Sequence, residues 1–461
     1  MEKISKVLEA RYAITIKFAS VVHGATDDEA KGFIRSQSPS MFLLKHVSEL
    51  VGDTAVNMAC ADLNEDELIP HFFALDASTF AHSAPARSSS SSNKKDTSTH
   101  DRRPSAGFSF GMMDEVAAKH SPKHICVEVV PGLGQPTSME LTCNLFKDRG
   151  YASWMEGNND RDFGSPVPRD RFFWGAIGDL HEGVNHDEVV HHFLSIIRAF
   201  KLVRPVLAET IITFGDRERA EEARLVGLPT LTGTGLKNVK EKSDADWKYE
   251  HKTMFMVQNI TWPVDLEKEG NCVGDIIDFS GMSRREAEAT VFLDRVFAPP
   301  ANPEGEQCVE FIDINMSLAR LTAGCLEEEI RSPWALGCPM PLTSTSKMLM
   351  RCVVSGHRSV RLLDAIEYMR LVGWVDSDWM PLDWKAMCVD EAAFTEAIAR
   401  FAGTTIAGFQ YAAVQMATLS TWGMFGNHSE LRCKHNPPVP VIVMAPAPLS
   451  ESYSDEDDDD V

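Results

Sequence analysis

Between residues 11 and 150 the chain alternates short β-branched or apolar runs with amphipathic segments, and this rhythm limits the fold more than any other feature. RYAITIKFASVV (11–22) alternates apolar and polar side chains and predicts a strand; DDEAKGFIRSQ predicts a short helix. SMFLLKHV predicts a second strand and LIPHFFAL (68–75) a third apolar run. FGMMDEVAAKHS reads as helix, KHICVEVV as a compact strand, and MELTCNLFKDRGY as an amphipathic helix closed by Gly150. Strands and helices at this spacing predict βαβ units, an α/β class and a doubly wound, Rossmann-like parallel sheet. Ligands of such sheets bind at the carboxyl ends of the strands. Glu128 falls near such an end, just before Pro131-Gly132, where a buried strand has no structural use for a carboxylate.

From about 206 to 345 the rhythm breaks into charged and loop-rich sequence, which predicts a smaller inserted unit. Helical patterns are expected again in RSVRLLDAIEYMRLVGW and EAAFTEAIARFAGTTIAGFQYAAVQMATL. The expected division is 1–205 with 346–425 as one domain, 206–345 as the insertion, and 426–461 as a tail. Residues 83–107 read as a flexible surface loop in which Arg87, Lys94, Lys95, Arg102 and Arg103 face only two acids.

The net charge is −22, and seven of the negative charges lie in the final ESYSDEDDDDV, a solvated tail by composition. Broad nucleic-acid affinity needs phosphate neutralisation, so any DNA contact must come from a local basic patch such as 83–107. No run of 18 apolar residues exists, which argues against a membrane partner. The ten cysteines lack CxxC spacing and read as reduced thiols of an intracellular protein, nuclear in a eukaryote and otherwise cytoplasmic. The His181, His186, His191 and His192 segment has no HExxH spacing and reads as a solvated helix; no metal is expected. DRERAEEARL reads as an exposed helix face with i, i+4 charge pairs.

Three separated stretches, in order, and a fourth after them resemble the DNA (cytosine-5) methyltransferase family. ICVEVVPGL is similar to the family's Glu-Asn-Val strand, with Glu128 as the glutamate and Val129 as the asparagine. RDFGSPVPRDRFFWGAIG resembles the Gly-x-Pro-Gln-x-Arg-x-Arg block, with Arg169 and Arg171 in the arginine places and Val167 for the glutamine. The late Arg-x-Leu-Thr-x-x-Glu pattern falls on Arg361, Leu363, Asp364 and Glu367, followed by Gly373 and Trp374. FAGTTIAGFQYAAV resembles the closing Gly-Asn helix, with Gly403 kept and Thr404 replacing the asparagine.

The resemblance implies a base-flipping chemistry on double-stranded DNA with S-adenosylmethionine as methyl donor. A cysteine thiolate adds to cytosine C6, and a glutamate in a desolvated pocket holds a proton at N3. An arginine donates to the cytosine carbonyl. Those roles fall on Glu128 and Arg171, with Arg169 as support. On this alignment the nucleophile position is Ala74, which has no nucleophilic atom. Cys126 shares a strand face with Glu128 but lies about 6–7 Å further back, and packs as a core thiol. The ribose-binding acid falls on Thr26, leaving Asp27 and Asp28 beside it, and Gly403 completes the implied cofactor residues. The Gly-rich turn expected before ARYAITIKF has no counterpart in the sequence. Two readings follow: a divergent, N-terminally truncated and degenerate methyltransferase, or a non-catalytic methyltransferase-like module that binds DNA or protein. The bland alternative for Glu128 is a buried ion pair with one of the arginines.

Overall fold

The computed structural model describes residues 21–23, 42–44, 74–78, 114, 117–118, 121–129, 136–202, 206–237, 245–262, 275–297, 309–322, 334–343, 345–354, 357–373, 385, 388, 390–404 and 408–427. The chain is a mixed α/β protein with three sheets among these residues. Strands β1 (Val21–His23) and β2 (Phe42–Leu44) form a parallel pair. Asp27, Asp28 and the 83–107 loop lie outside the described residues, as do 428–461 of the expected tail.

A four-stranded sheet has the order β3-β4-β6-β5, from β3 (Ala74–Ser78), β4 (His124–Val129), β5 (Ala152–Asn159) and β6 (Asp170–Ile177). Only β3 and β4 run parallel; β6 lies antiparallel between β4 and β5. The expected all-parallel sheet is therefore corrected to a mixed one. The reason is local: the β5–β6 connection is a tight 3-10 turn over Asp160–Phe163, too short for a helical crossover. Asn159 caps that turn by accepting from Arg161 N, and Gly164 closes it at φ 104°, a left-handed conformation that favours glycine.

Both faces of this sheet are covered. On one, helix α1 (Pro136–Lys147) sets the fully buried Phe146 against Trp174, with ring centroids 4.4 Å apart. On the other, helix α2 (His186–Ala199) presents Val189, Phe193 and Ile197 at i, i+4 and i+8. Phe193 meets Trp154 at 3.9 Å, so the predicted solvated helix is in fact amphipathic.

A second, five-stranded sheet has the order β7-β11-β10-β8-β9. Its strands are β7 (Asp275–Ile277), β8 (Val309–Asp313), β9 (Trp334–Leu336), β10 (Met348–Val354) and β11 (His357–Leu362). Only β7 and β11 pair in parallel. Alternation feeds two cores: Leu349, Val360 and Leu362 join Phe255 and Phe292 of helices α4 (Ala245–Val257) and α5 (Arg284–Val296). Helix α6 (Ile314–Thr322) adds Leu321 to that layer. Met348, Met350 and Cys352 face the opposite way, onto helices α7 (Ala365–Leu371) and α8 (Glu391–Thr404). Ala223 of helix α3 (Asp216–Leu225) belongs to the same cluster. The final helix, α9 (Gly408–Phe425), returns to the four-stranded sheet, where Ala413, Val414 and Ala417 share a core with Phe193.

This arrangement bears on two sequence expectations. Met348–Val354 pairs directly with Val309–Asp313, so one sheet spans the boundary placed at 345/346. His357–Leu362, expected as helix, is strand β11, and the helix begins only at Ala365. A long-range ladder to β10 and β7 overrides the local helical spacing.

Candidate functional site

Strand direction gathers the site. Because β6 runs antiparallel to β4, the end of β4 and the start of β6 lie at the same sheet edge. Glu128 is paired in register with Phe173, and Arg171 stands two residues along on the same face. Arg171 Nε approaches Glu128 Oε1 at 3.0 Å, and the Arg169 guanidinium reaches the same oxygen at 3.4 Å. All three are largely covered, with side-chain exposures of 2% for Glu128, 9% for Arg169 and 24% for Arg171. A carboxylate so buried needs this compensation, since its desolvation alone costs several kcal/mol, about the energy of a broken buried pair. Burial and the neighbouring Arg169 pull the Arg171 guanidinium below its ordinary range, while Glu128 opposes them.

Asp160 joins this cluster, although no sequence motif singled it out. It is 3% exposed and accepts from Gln410 N at 2.8 Å, fastening the 3-10 turn to the first turn of α9. Its own N–H donates to Arg169 O at 3.0 Å, which fixes the backbone that carries Arg169. Burial pushes the Asp160 carboxyl up to about 6; the Gln410 N–H, Arg169 and Ser165 pull it down, and Glu128 pushes it further up. A cavity of ≈ 10 Å³ touches Asp160, Ser165 and Arg169 on one side and Leu342, Leu371 and Val372 on the other. The only sequence signal for Asp160 was an acid two residues after Asn158 at a strand end.

Ala74 does not join them. The parallel register sets Ala74 beside His124 and Ser78 beside Glu128, so Ala74 lies at the far end of β3. Four residues of strand separate the two levels, about 13 Å. The assignment of Ala74 to the wall facing Glu128 is therefore corrected: in the β3–β4 register Ser78, not Ala74, stands at the level of Glu128. Glu128 is instead buried, on the helix-covered face with Cys126 and Phe173. Cys126 is 1% exposed and shares its core with Trp154 and Phe193. Gly403 sits near the end of α8.

The late motif forms a second charged knot. Arg361 grips both oxygens of Glu367 at 2.7 and 2.8 Å and donates to Thr213 O at 2.9 Å. Asp364 caps α7 and takes Arg219 at 2.7 Å and Leu231 N at 2.8 Å. Glu367 is held below the usual carboxylate range by Arg361 against the pull of burial. Arg219 is 1% exposed, so the DRERAEEARL helix is not simply a solvated face. Its polarity hides one guanidinium that anchors α3 to α7.

Among the described residues no group of three or more His, Cys, Asp or Glu side chains is placed to hold a metal ion. No described helix is long and apolar enough to cross a membrane.

No protein-family model matches the sequence, and no curated protein matches it. Solved structures with some likeness include a DNMT2 mutant from Spodoptera frugiperda, at TM-score 0.39 and 10% identity over 87% of this chain and 91% of that one. The S. pombe Dnmt2 methyltransferase gives 0.38 and 12%, over 90% of this chain and 94% of its own. A putative DNA modification methyltransferase encoded within an E. coli prophage gives 0.40 and 13%, over 87% and 91%. Likenesses this remote leave the reading of function to the residues themselves.

Proposed function

We propose that this chain is a methyltransferase-like protein of the DNA (cytosine-5) type that keeps the acid-and-arginine half of a base pocket and lacks the thiol half. The observation that carries the reading is the convergence of Arg169 and Arg171 on Glu128 at the sheet edge. Each was expected there from motif order alone. In this reading Glu128 is the acid and Arg171 the carbonyl donor of a base pocket that the Glu128–arginine pairs now close, with Arg169 bracing the acid.

The chemistry then stops short. No cysteine occurs between Cys60 and Cys126, so the segment after β3 offers no sulfur to add to a ring carbon. Cys126 is packed in the core beside Trp154 and Phe193, out of reach of a ring carbon. S-adenosylmethionine remains the implied cofactor, with Asp27, Asp28 and Gly403 as the residues that would hold it; when bound it supplies an activated methyl. Double-stranded DNA is the implied partner, and the protein acts as a silent binding module on DNA or on a protein partner.

The test has two arms. Calorimetric titration with S-adenosylmethionine is expected to give no saturable binding below about 1 mM. A micromolar dissociation constant together with methyl transfer to DNA would overturn the silent reading. A mismatched duplex carrying 2-aminopurine reports extrusion, which is cheapest at a mismatch. Brightening by the wild type and its loss in Glu128→Gln support the pocket; no brightening removes the family reading.

A further inference from the structure

A cavity of ≈ 940 Å³ lies outside the Glu128 cluster, at the seam between the two sheet units. That falls within the range of small-molecule sites, roughly 300–1,000 Å³. One wall comes from the four-stranded unit, through Gly164, Pro166 and the Phe409 ring. The other comes from Ile211, Phe214 and the N-terminal half of α3. The body of the cavity is apolar, and Phe214 and Phe409 are among the residues that line it.

Three charged side chains line it: Glu218, Glu222 and Arg370. Arg370 is committed to Glu222 at 2.9 Å and to Thr213 Oγ1 at 3.3 Å, and Glu222 also accepts from Thr213 at 2.7 Å. Those two charges cancel. Glu218 is exposed, with its carboxylate folded over Gly215, so the cavity keeps one negative charge over an apolar floor. A phosphate or carboxylate ligand meets repulsion there, and a neutral one leaves Glu218 unused. A protonated amine on a flat apolar body satisfies both: the ring packs between Phe214 and Phe409, and the ammonium meets Glu218 and the ring faces.

We propose that this seam cavity is a binding site for a small aromatic monocation, independent of the proposed methyltransferase reading. Because both sheet units contribute walls, the ligand would pin one to the other beside Pro166, which leads into Arg169.

Three probes with the same ring and different charge test it: tryptamine, the neutral tryptophol and the anionic indole-3-acetate, titrated into the full chain by calorimetry. Tryptamine is expected to saturate below about 1 mM. Tryptophol should bind about five-fold more weakly and indole-3-acetate not at all, as a single exposed carboxylate allows. Glu218→Gln should bring tryptamine down to the level of tryptophol, and Val206→Trp, which fills the cavity, should abolish both. Equal binding of the three probes, binding unchanged in Glu218→Gln, or no saturation by any probe would each overturn the proposal. Should Val206→Trp fail to fold, Glu218→Gln decides alone, since that side chain is exposed and outside the core.

Discussion

Arg171 and Glu128 stand 3.0 Å apart because β6 starts where β4 ends, so two distant sequence motifs become neighbours at one sheet edge. The pair is a product of strand direction as much as of charge. Its energetic weight can be measured directly. Arg171→Ala is expected to destabilise by about 2–3 kcal/mol, below the figure for a fully buried pair because Arg171 is partly exposed and Arg169 remains. Adding Glu128→Gln should recover at least half of that loss in a double-mutant cycle by urea unfolding. Strict additivity would mean that the two side chains do not interact.

Asp160 sets a pH dependence. Its folded-state pKa of about 6 lies above the ordinary 3.8. Between these values the folded chain holds a proton that the unfolded chain has released. Stability contributed by this group is therefore full below about pH 4 and falls as pH rises to about 6. The loss is on the order of 2–3 kcal/mol at 1.36 kcal/mol per unit. Asp160→Asn should flatten this part of the urea-unfolding profile between pH 4 and 6. A slope that persists unchanged in the variant assigns it to another group.

Two arginines of one helix should behave oppositely. Arg219 is 1% exposed and bridges Asp216 and Asp364, whereas Arg217 is exposed. Arg219→Met should cost about 3–5 kcal/mol by leaving Asp364 with an uncompensated buried charge. Arg217→Met should stay within about 0.5 kcal/mol. Similar midpoints for both variants in chemical denaturation would contradict the anchor.

Gly175 lies in the middle of β6 because the Trp154 ring occupies the space of its missing side chain. Gly175→Ala should overpack this spot and cost about 1–3 kcal/mol. The effect should be relieved by Trp154→Phe, which a pair of thermal melts can check.

Any DNA affinity should come from 87–103, whose five basic residues allow about five phosphate contacts, each near 0.9 in the salt slope. Deleting 84–105 should abolish weak duplex binding. An unchanged slope after the deletion identifies another surface.

The sequence was legible where local pattern and long-range demand agree. KHICVEVV is strand by composition and by its ladder, and the helix expected from MELTCNLFKDRGY is α1, which ends at Lys147 shortly before the left-handed Gly150. The Glu128 cluster could be read because Arg169 and Arg171 keep strand spacing beside a burying edge. Asp160 escaped because nothing local distinguishes a buried acid from a solvated one; only the arrival of Gln410 from α9 does. His357–Leu362 was read as helix because Val360, Leu363, Ile366 and Leu371 carry helical spacing, while partners from β7 and β10 settle it as strand. Ala74 was misplaced by strand length: Leu75, Asp76, Ala77 and Ser78 carry no β-branched signal, yet they pair with β4.

The β8–β10 ladder joins residues on either side of a long intervening segment, with β10 lying centrally between β8 and β11. During synthesis β7, β8 and β9 therefore leave the ribosome before the strand that unites them. Until Cys352 has emerged, β8 has β9 on one side only, and its other edge, where Met350 pairs with Phe311, stays open. Such delayed closure slows folding and leaves nascent chains open to wrong pairing. Ribosome-bound chains stalled shortly before Met348 should thus be the most protease-sensitive and chaperone-dependent of the length series.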